Sequence, residues 1–87
     1  MSKRGEPVFI NKGQNGENNI CGKKVAEVRR NIGKSQRELA VILQLLGLDV
    51  DKNAIQRIEA GKRFVTDIEI VYLSQALKIS VTELLGL

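Results

Sequence analysis

The chain has 87 residues, of which 43% are hydrophobic and 28% charged, with a formal net charge of +4. This length suits one domain with one modest core and excludes a second domain with a core of its own. One cysteine and no histidine exclude an internal disulfide and a zinc site built from Cys and His, so we expect no metal and no cofactor.

The hydropathy pattern bears on location. The longest apolar run, Val41 to Leu48, is interrupted by Gln44 and Gly47 and is far shorter than the roughly 20 residues that cross a bilayer. The first ten residues lack the long apolar stretch of a secretory signal. We therefore expect a cytoplasmic protein without membrane contact. The positive net charge weakly favours an anionic partner.

The N-terminal segment, residues 1–19, is rich in Gly, Asn and Gln. Such a segment buries too little apolar area to offset its ordering entropy. The sequence therefore predicts a flexible N-terminal arm over residues 1–19, followed by one helical domain over residues 20–87. Lys3, Arg4 and Lys12 give the arm a slight positive bias.

The first predicted helix carries Cys21, Val25, Val28 and Ile32 at spacings of four, three and four. These spacings place the four residues on one face of a helix, which we expect to be buried. Gly33 follows and predicts the C-terminal end of this helix.

The second predicted helix begins with Ser35 as N-cap, and Glu38 three residues later completes a capping box. Gly47 ends the helix. Four aliphatic residues form its predicted buried stripe: Leu39, Ile42, Leu43 and Leu46.

The third predicted helix begins after Asp51, a good N-cap, and ends at Gly61. Its apolar residues are Ala54, Ile55 and Ile58. The helix is short, and its remaining positions are mostly polar.

The fourth predicted helix begins with a Thr66 and Glu69 capping box and runs to about Lys78. Its candidate inward residues are Ile68, Val71, Leu73 and Leu77.

A last short helix is predicted from Ser80 and Glu83, and it ends near Leu85. Aromatic residues make up only 3% of the chain, and apolar residues do not alternate with polar ones as in a strand. The sequence therefore predicts an all-α fold of five short helices.

The second and third helices carry the pattern of a known family. The pattern consists of the Ser35-Gln36 opening, the Leu39-Ala40 pair and the aliphatic-x-x-aliphatic-Glu-x-Gly run from Ile55 to Gly61. In these features the chain resembles the phage-repressor and Cro-type helix-turn-helix family, of the xenobiotic-response-element type, over residues 22–86. The resemblance implies a lambda-repressor-like domain that binds double-stranded DNA and regulates transcription.

One feature departs from the family. Ala40 and Glu59 lie 19 positions apart, about five more than in relatives whose two helices are joined by a tight turn. The extra residues fall around Leu45 to Val50. We expect a longer second helix or a widened turn between helices 2 and 3.

The third helix carries the side chains suited to reading bases. With Ile55 and Ile58 as apolar anchors, four polar residues occupy the rest of its surface: Lys52, Asn53, Gln56 and Arg57. Arg and Lys suit the acceptors of guanine, and Asn and Gln suit adenine. An ordinary solvated helix face is the alternative that composition alone favours.

Other roles follow from the resemblance. Gln36 matches a family residue that contacts the DNA backbone, and Lys62 and Arg63 match a loop that touches phosphates. Solvated surface positions are the alternative for all three. The family pairs the Glu of the third helix with an Arg of the first, which implies an ion pair between Arg29 and Glu59.

The resulting hypothesis is a repressor that binds a near-palindromic operator as a homodimer. Candidate residues for the dimer surface are Tyr72, Ile79 and the segment from Leu84 to Leu87. The alternative is an antitoxin or adaptor-like protein-interaction module on the same fold, with a protein partner. An enzyme with a small-molecule substrate is not expected, because no nucleophile–base combination is visible. The arm is a solvated tail or follows a DNA groove.

Overall fold

The computed structural model describes residues 16–87, which form five α-helices and no strand. In chain order the helices are α1 (Gly22–Asn31), α2 (Gln36–Leu46), α3 (Lys52–Glu59), α4 (Asp67–Leu77) and α5 (Val81–Leu85). The predicted all-α architecture is confirmed for this part of the chain. Within it, no helix has the length and apolar character to span a membrane.

Side-chain caps fix the starts of four helices, as the sequence predicted. In α2 and α4, Ser35 and Thr66 accept a hydrogen bond from the third helical residue, whose Glu side chain accepts one in return. In α3 and α5, Asp51 and Ser80 accept the corresponding backbone hydrogen bond. Each cap satisfies an otherwise unpaired N–H group and contributes about 1 kcal/mol.

The core receives large buried side chains from every helix. Burying each of them stabilises the fold by roughly 1.5–3 kcal/mol. α3 packs against both α1 and α2, so its buried face is held on two sides. The fully buried large aliphatic residues are Val25, Leu39, Leu43, Ile55, Ile58, Leu73, Leu77 and Leu84.

Four residues predicted to face inward lie at the surface instead. Ile32 is the C-cap that follows α1, Leu46 is the last residue of α2, and both are 43% exposed because the chain leaves the core there. Ile68 and Val71 are also exposed. The side of α4 that faces the core carries Leu73, Ala76 and Leu77. Apolar residues surround most of α4, so the spacing alone did not identify its buried side.

The connection between α2 and α3 runs over residues 47–51, one or two residues longer than the three or four of the usual motif. The predicted widening is therefore present, and the rest of the added length extends α2 to 11 residues. Gly47 ends α2 with a left-handed φ of 111°. Gln44 Nε2 donates to the carbonyl oxygen of Val50 at 2.6 Å, and Val50 is buried. The hydrogen bond from Gln44 and the burial of Val50 therefore hold the longer connection against α2 and the core.

The residues just before α1 are bonded to the helical domain. The backbone N–H of Asn18 donates to the carbonyl of Gly61, and its side chain donates to that of Lys62, both at 2.8 Å. The side chain of Asn19 donates to the carbonyl of Arg63 at 2.8 Å. The packed unit therefore begins before residue 20, inside the segment predicted as an arm. Residues 1–15 of that arm lie outside the described residues.

Candidate nucleic-acid interface

The outer face of α3 brings together the four residues predicted to read bases. Ile55 and Ile58 are buried under the helix, at 0% and 2% exposure. At 3.6 residues per turn, the other side of the helix carries a compact polar surface. We call this surface the α3 face; it consists of four exposed residues, Lys52, Asn53, Gln56 and Arg57.

A buried ion pair holds the C-terminal end of α3 against α1. Arg29 Nε donates to Glu59 Oε2 at 2.6 Å, and Nη2 donates to Glu59 Oε1 at 3.0 Å. Arg29 Nη1 also donates to the carbonyl of Lys34 at 2.8 Å. These bonds to Glu59 raise the pKa of Arg29 above its usual value. The structure thus places Arg29 and Glu59 in the contact that the resemblance implied.

Gln36 joins the same network from the start of α2. Its Nε2 donates to Glu59 Oε1 at 3.0 Å. The amide nitrogen carries two hydrogens, and the second has no hydrogen-bond acceptor among residues 16–87. A phosphate contact by this second N–H stays a prediction.

Lys62 and Arg63 have different surroundings, although the family resemblance implied a phosphate contact for both. Lys62 is exposed in the loop after α3, and its backbone is fixed by hydrogen bonds with Arg57 and Asn18. Arg63 instead makes two hydrogen bonds of 3.0 Å to the carboxylate of Glu69, at the start of α4.

The contact between Arg63 and Glu69 shifts the pKa of both side chains. Hydrogen bonding from Arg63 lowers the pKa of Glu69, and the same contact raises the pKa of Arg63. The ion pair joins the α3–α4 loop to α4, and a phosphate contact by Arg63 stays a prediction.

A groove lies between α2 and the start of α3, and the sequence analysis did not identify it. It measures about 460 Å³, with Arg37, Val41 and Gln44 on one side and Lys52 and Asn53 on the other. We call it the α2–α3 groove. Arg37 was missed although it follows Gln36 directly, because its direction depends on how α2 packs on α3.

No group of potential metal ligands occurs within residues 16–87. Cys21 is buried, and burial raises the pKa of its thiol to about 11. The thiol is therefore protonated at neutral pH and packs in the core as an apolar side chain.

This chain is similar to several solved structures, among them the following two. The restriction-modification controller protein C.AhdI from Aeromonas hydrophila has a TM-score of 0.65 and 31% sequence identity, over 74% of this chain and 89% of that chain. The hypothetical transcription factor NHTF from Neisseria shares the fold, with a TM-score of 0.69 and 20% identity over 91% of this chain and 84% of that chain. No protein-family model and no curated protein matches the sequence.

The similarity to C.AhdI extends over most of both chains. Three features of this chain agree with the family pattern: the Ser35-Gln36 opening, the five-helix order and the Arg29–Glu59 contact. The chain belongs to the Cro/C1-type helix-turn-helix family.

Proposed function

We propose that this chain is a sequence-specific DNA-binding transcription regulator that places α3 in the major groove. The observation that carries the proposal is the α3 face, where four side chains capable of reading bases are exposed above two fully buried isoleucines. The major groove is about 12 Å wide and admits one α-helix. A helix anchored from behind can therefore present its polar side to base edges.

The chemistry of the α3 face divides into two kinds of contact. Lys52 and Arg57 donate to the O6 and N7 acceptors of guanine, and Asn53 and Gln56 pair with the N6 and N7 of adenine. Lys52 and Asn53 form the first turn of α3, the part of a recognition helix that contacts bases. These four residues set the sequence preference.

Contacts to the DNA backbone flank the α3 face. Gln36 uses its second amide hydrogen for a phosphate, while the first keeps the side chain oriented through Glu59. Lys62 contacts a phosphate beyond the other end of α3. Each phosphate that is neutralised steepens the fall of affinity with salt.

A homodimer acting as a repressor extends this proposal. One domain of this size makes few base contacts, so two copies on a near-palindromic operator supply the affinity that specific binding needs. The half-sites then lie about one helical turn apart. A dimer on an operator that overlaps a promoter represses by occupancy. The similarity to a controller protein supports regulation as the biological class.

Selection of bound duplexes from a random pool tests the proposal. We expect enrichment of one preferred sequence, arranged as two related half-sites separated by about one helical turn. The protein should also shift this duplex in a salt-dependent manner, and a scrambled duplex of equal length is the control. Recovery of no preferred sequence would remove the base-reading role of α3.

A protein-interaction module on the same fold is the second candidate function. Val41 and Leu45 lie one turn apart on α2 and are 47% and 83% exposed, and adjacent exposed aliphatic side chains are typical of protein contact surfaces. This module could act as an antitoxin or an adaptor. A tight complex with a protein and no affinity for any duplex would favour it over the DNA-binding regulator.

A further inference from the structure

We infer that Asn18, in the segment before α1, is a positioning residue for DNA binding: its side chain holds the α3–α4 loop so that Lys62 is ordered before it meets a phosphate. The inference rests on the proposed function and deepens it, because it links a residue outside every helix to one contact with the DNA backbone. Asn18 acts through Lys62 and not on the DNA itself.

The α3–α4 loop, residues 60–66, contains a glycine at the point where it leaves α3. Gly61 has a left-handed φ of 75°, and glycine adopts this conformation and others with little strain. Lys62 follows directly and is exposed. The path of the backbone here decides which positions the Lys62 amine can reach, so contacts from outside the loop must fix that path.

Asn18 makes two such contacts. Its backbone N–H donates to the carbonyl of Gly61 and its Nδ2 donates to the carbonyl of Lys62, both at 2.8 Å. On the other side, the N–H of Lys62 donates to the carbonyl of Arg57 at 2.9 Å. Arg57 belongs to the α3 face. The backbone of Lys62 is therefore bonded to α3 through its N–H and to Asn18 through its carbonyl.

The residues on either side of Asn18 also contact the α3–α4 loop or α3. The Cβ and Cγ atoms of Glu17 lie within 3.3 Å of the position that a Cβ atom would take at Gly61. Asn19 joins α1 to α3: its Oδ1 accepts the N–H of Gly22 at 2.8 Å, and its Nδ2 donates to the carbonyl of Ile58 at 3.1 Å. Asn19 thus serves the packing of helices, whereas the side chain of Asn18 bonds only the loop.

The second polar atom of the Asn18 side chain argues against a purely stabilising role. Its Oδ1 is buried and accepts no hydrogen bond from any residue within 16–87. A buried acceptor without a donor costs stability, which offsets what the bond from Nδ2 contributes. Removal of this side chain should therefore change the stability of the fold little. Positions that break the rules of stable packing commonly serve function.

Ordering Lys62 in advance favours binding. A lysine carries its charge on a flexible four-carbon stem, and a group that is already fixed loses less conformational freedom when it binds. The ion pair between Arg63 and Glu69 at 3.0 Å fixes the loop just beyond Lys62. Asn18 fixes the loop at Lys62 itself, so the backbone of this cation is held on both sides.

A double-mutant cycle of Asn18→Ala and Lys62→Ala on the selected duplex tests the inference. Asn18→Ala should weaken binding about three- to tenfold, as expected when one more side chain must be ordered on binding. In the Lys62→Ala background the same change should alter affinity less than about twofold, because no cation is left to position. The control is Asn31→Ala, an exposed asparagine at the end of α1, which should change neither background.

The salt dependence gives a second measurement. Lys62→Ala should reduce the slope of log K against log salt by about 0.9, because one phosphate contact is lost. Asn18→Ala should keep the parental slope, because Lys62 still reaches its phosphate in the complex. It should also weaken selected and unrelated duplexes by the same factor. In the free protein, the amide of Lys62 should exchange faster in Asn18→Ala, and urea unfolding checks that every variant is folded.

The outcomes separate the two proposals. If the parent binds its selected duplex while Asn18→Ala binds equally well, or loses the same factor with and without Lys62, the positioning role is wrong and the proposed function stands. A parental salt slope in Lys62→Ala would also overturn the inference, because Lys62 would then contact no phosphate. If the parent binds no duplex at any salt concentration, both proposals are overturned.

Discussion

Glu59 accepts hydrogen bonds from two side chains that belong to two other helices. Arg29 of α1 provides two of these bonds and Gln36 of α2 provides the third. The side chains of Arg29 and Glu59 are only 10% and 6% exposed. Removing one partner of such a pair leaves a buried charge without compensation, which is far more costly than losing a surface ion pair.

Glu59→Ala should therefore lower the free energy of unfolding by about 3–5 kcal/mol. The matched control is Glu27→Ala, since Glu27 is 61% exposed and lies 3.8 Å from Lys24; this change should cost less than about 1 kcal/mol. Urea unfolding of both variants checks the difference. Equal losses would show that the Arg29–Glu59 contact does not lock α3 in place.

Glu69 makes the stability depend on pH. Its pKa in the folded protein is lowered by hydrogen bonds from Arg63, so the folded state favours the ionised form. The stability gained from this lowered pKa is fully present above pH 4.5, the ordinary pKa of the carboxyl group. It is lost as the pH falls through the lower pKa of Glu69 in the folded protein.

Glu69→Gln removes the ion pair while keeping an acceptor for the cap of α4. We expect this variant to be less stable by roughly 1 kcal/mol at pH 7. The difference from the parent should shrink below about pH 4.5. Urea unfolding at a series of pH values measures both. A constant difference from pH 7 to pH 3 would assign the loss to packing rather than to ionisation.

At the scale of the element, the caps at the helix starts were predictable from the sequence. The side of a helix that faces the core and the contacts between elements were not. The Ser35 and Thr66 capping boxes form because their partners lie three residues away, a distance that the sequence fixes. The contact of Arg63 with Glu69 spans six residues and depends on the path of the α3–α4 loop, so it was not predicted. The buried side of α4 was misjudged at Ile68 and Val71 for the same reason: the neighbours of the helix decide it.

The division of the added residues between α2 and its connection is another property of the element. The sequence showed that the motif is longer than usual but left open whether the helix or the turn lengthens. Gln44 stabilises the longer connection, because its side chain donates a hydrogen bond to the carbonyl of Val50 and so joins α2 to the residue before the N-cap of α3.

Gln44→Ala should loosen this connection. We expect a loss of about 1 kcal/mol in unfolding free energy and faster amide exchange in the first turn of α3. The control is Gln75→Ala, an exposed glutamine of α4, which should change neither quantity. Unchanged exchange at Ala54 and Ile55 in Gln44→Ala, where both N–H groups donate to Asp51, would show that the connection is held by other contacts.

The approach of α1 to α3 depends on Gly22. A Cβ atom at this position would overlap the carbonyl oxygen of Ile58 and lie 2.9 Å from Asn19 Oδ1. Because the first atom belongs to the backbone, the two helices would have to separate. Only glycine allows the first turn of α1 to lie this close to the end of α3.

Gly22→Ala should therefore destabilise the fold by about 1–3 kcal/mol, although alanine favours helix more than glycine does. Lys23→Ala, one residue further along and exposed, is the control and should be close to neutral. Thermal unfolding distinguishes the two. A Gly22→Ala protein as stable as the parent would mean that α1 does not pack this tightly.

At the scale of the whole molecule, the fold holds α3 at its end, its start and the loop that follows it. Glu59 joins its last turn to α1 and α2, Gln44 fixes the connection before it, and Asn18 and Asn19 bind the carbonyls of the following loop. The family pattern predicted the helices and the ion pair. It did not predict the Asn contacts or the α2–α3 groove, because these arise only when distant segments are packed together.

The most direct measurement of the central claim uses Arg57→Ala and the selected operator, with each base pair replaced in turn. If the α3 face reads bases, Arg57→Ala should lose discrimination at one position, by about 1–3 kcal/mol, and keep it elsewhere. Arg30→Ala, an exposed arginine of α1, should retain the whole pattern. An unchanged preference at every position for Arg57→Ala, or a uniform loss of affinity without any change in preference, would contradict the assignment of Arg57 to base reading.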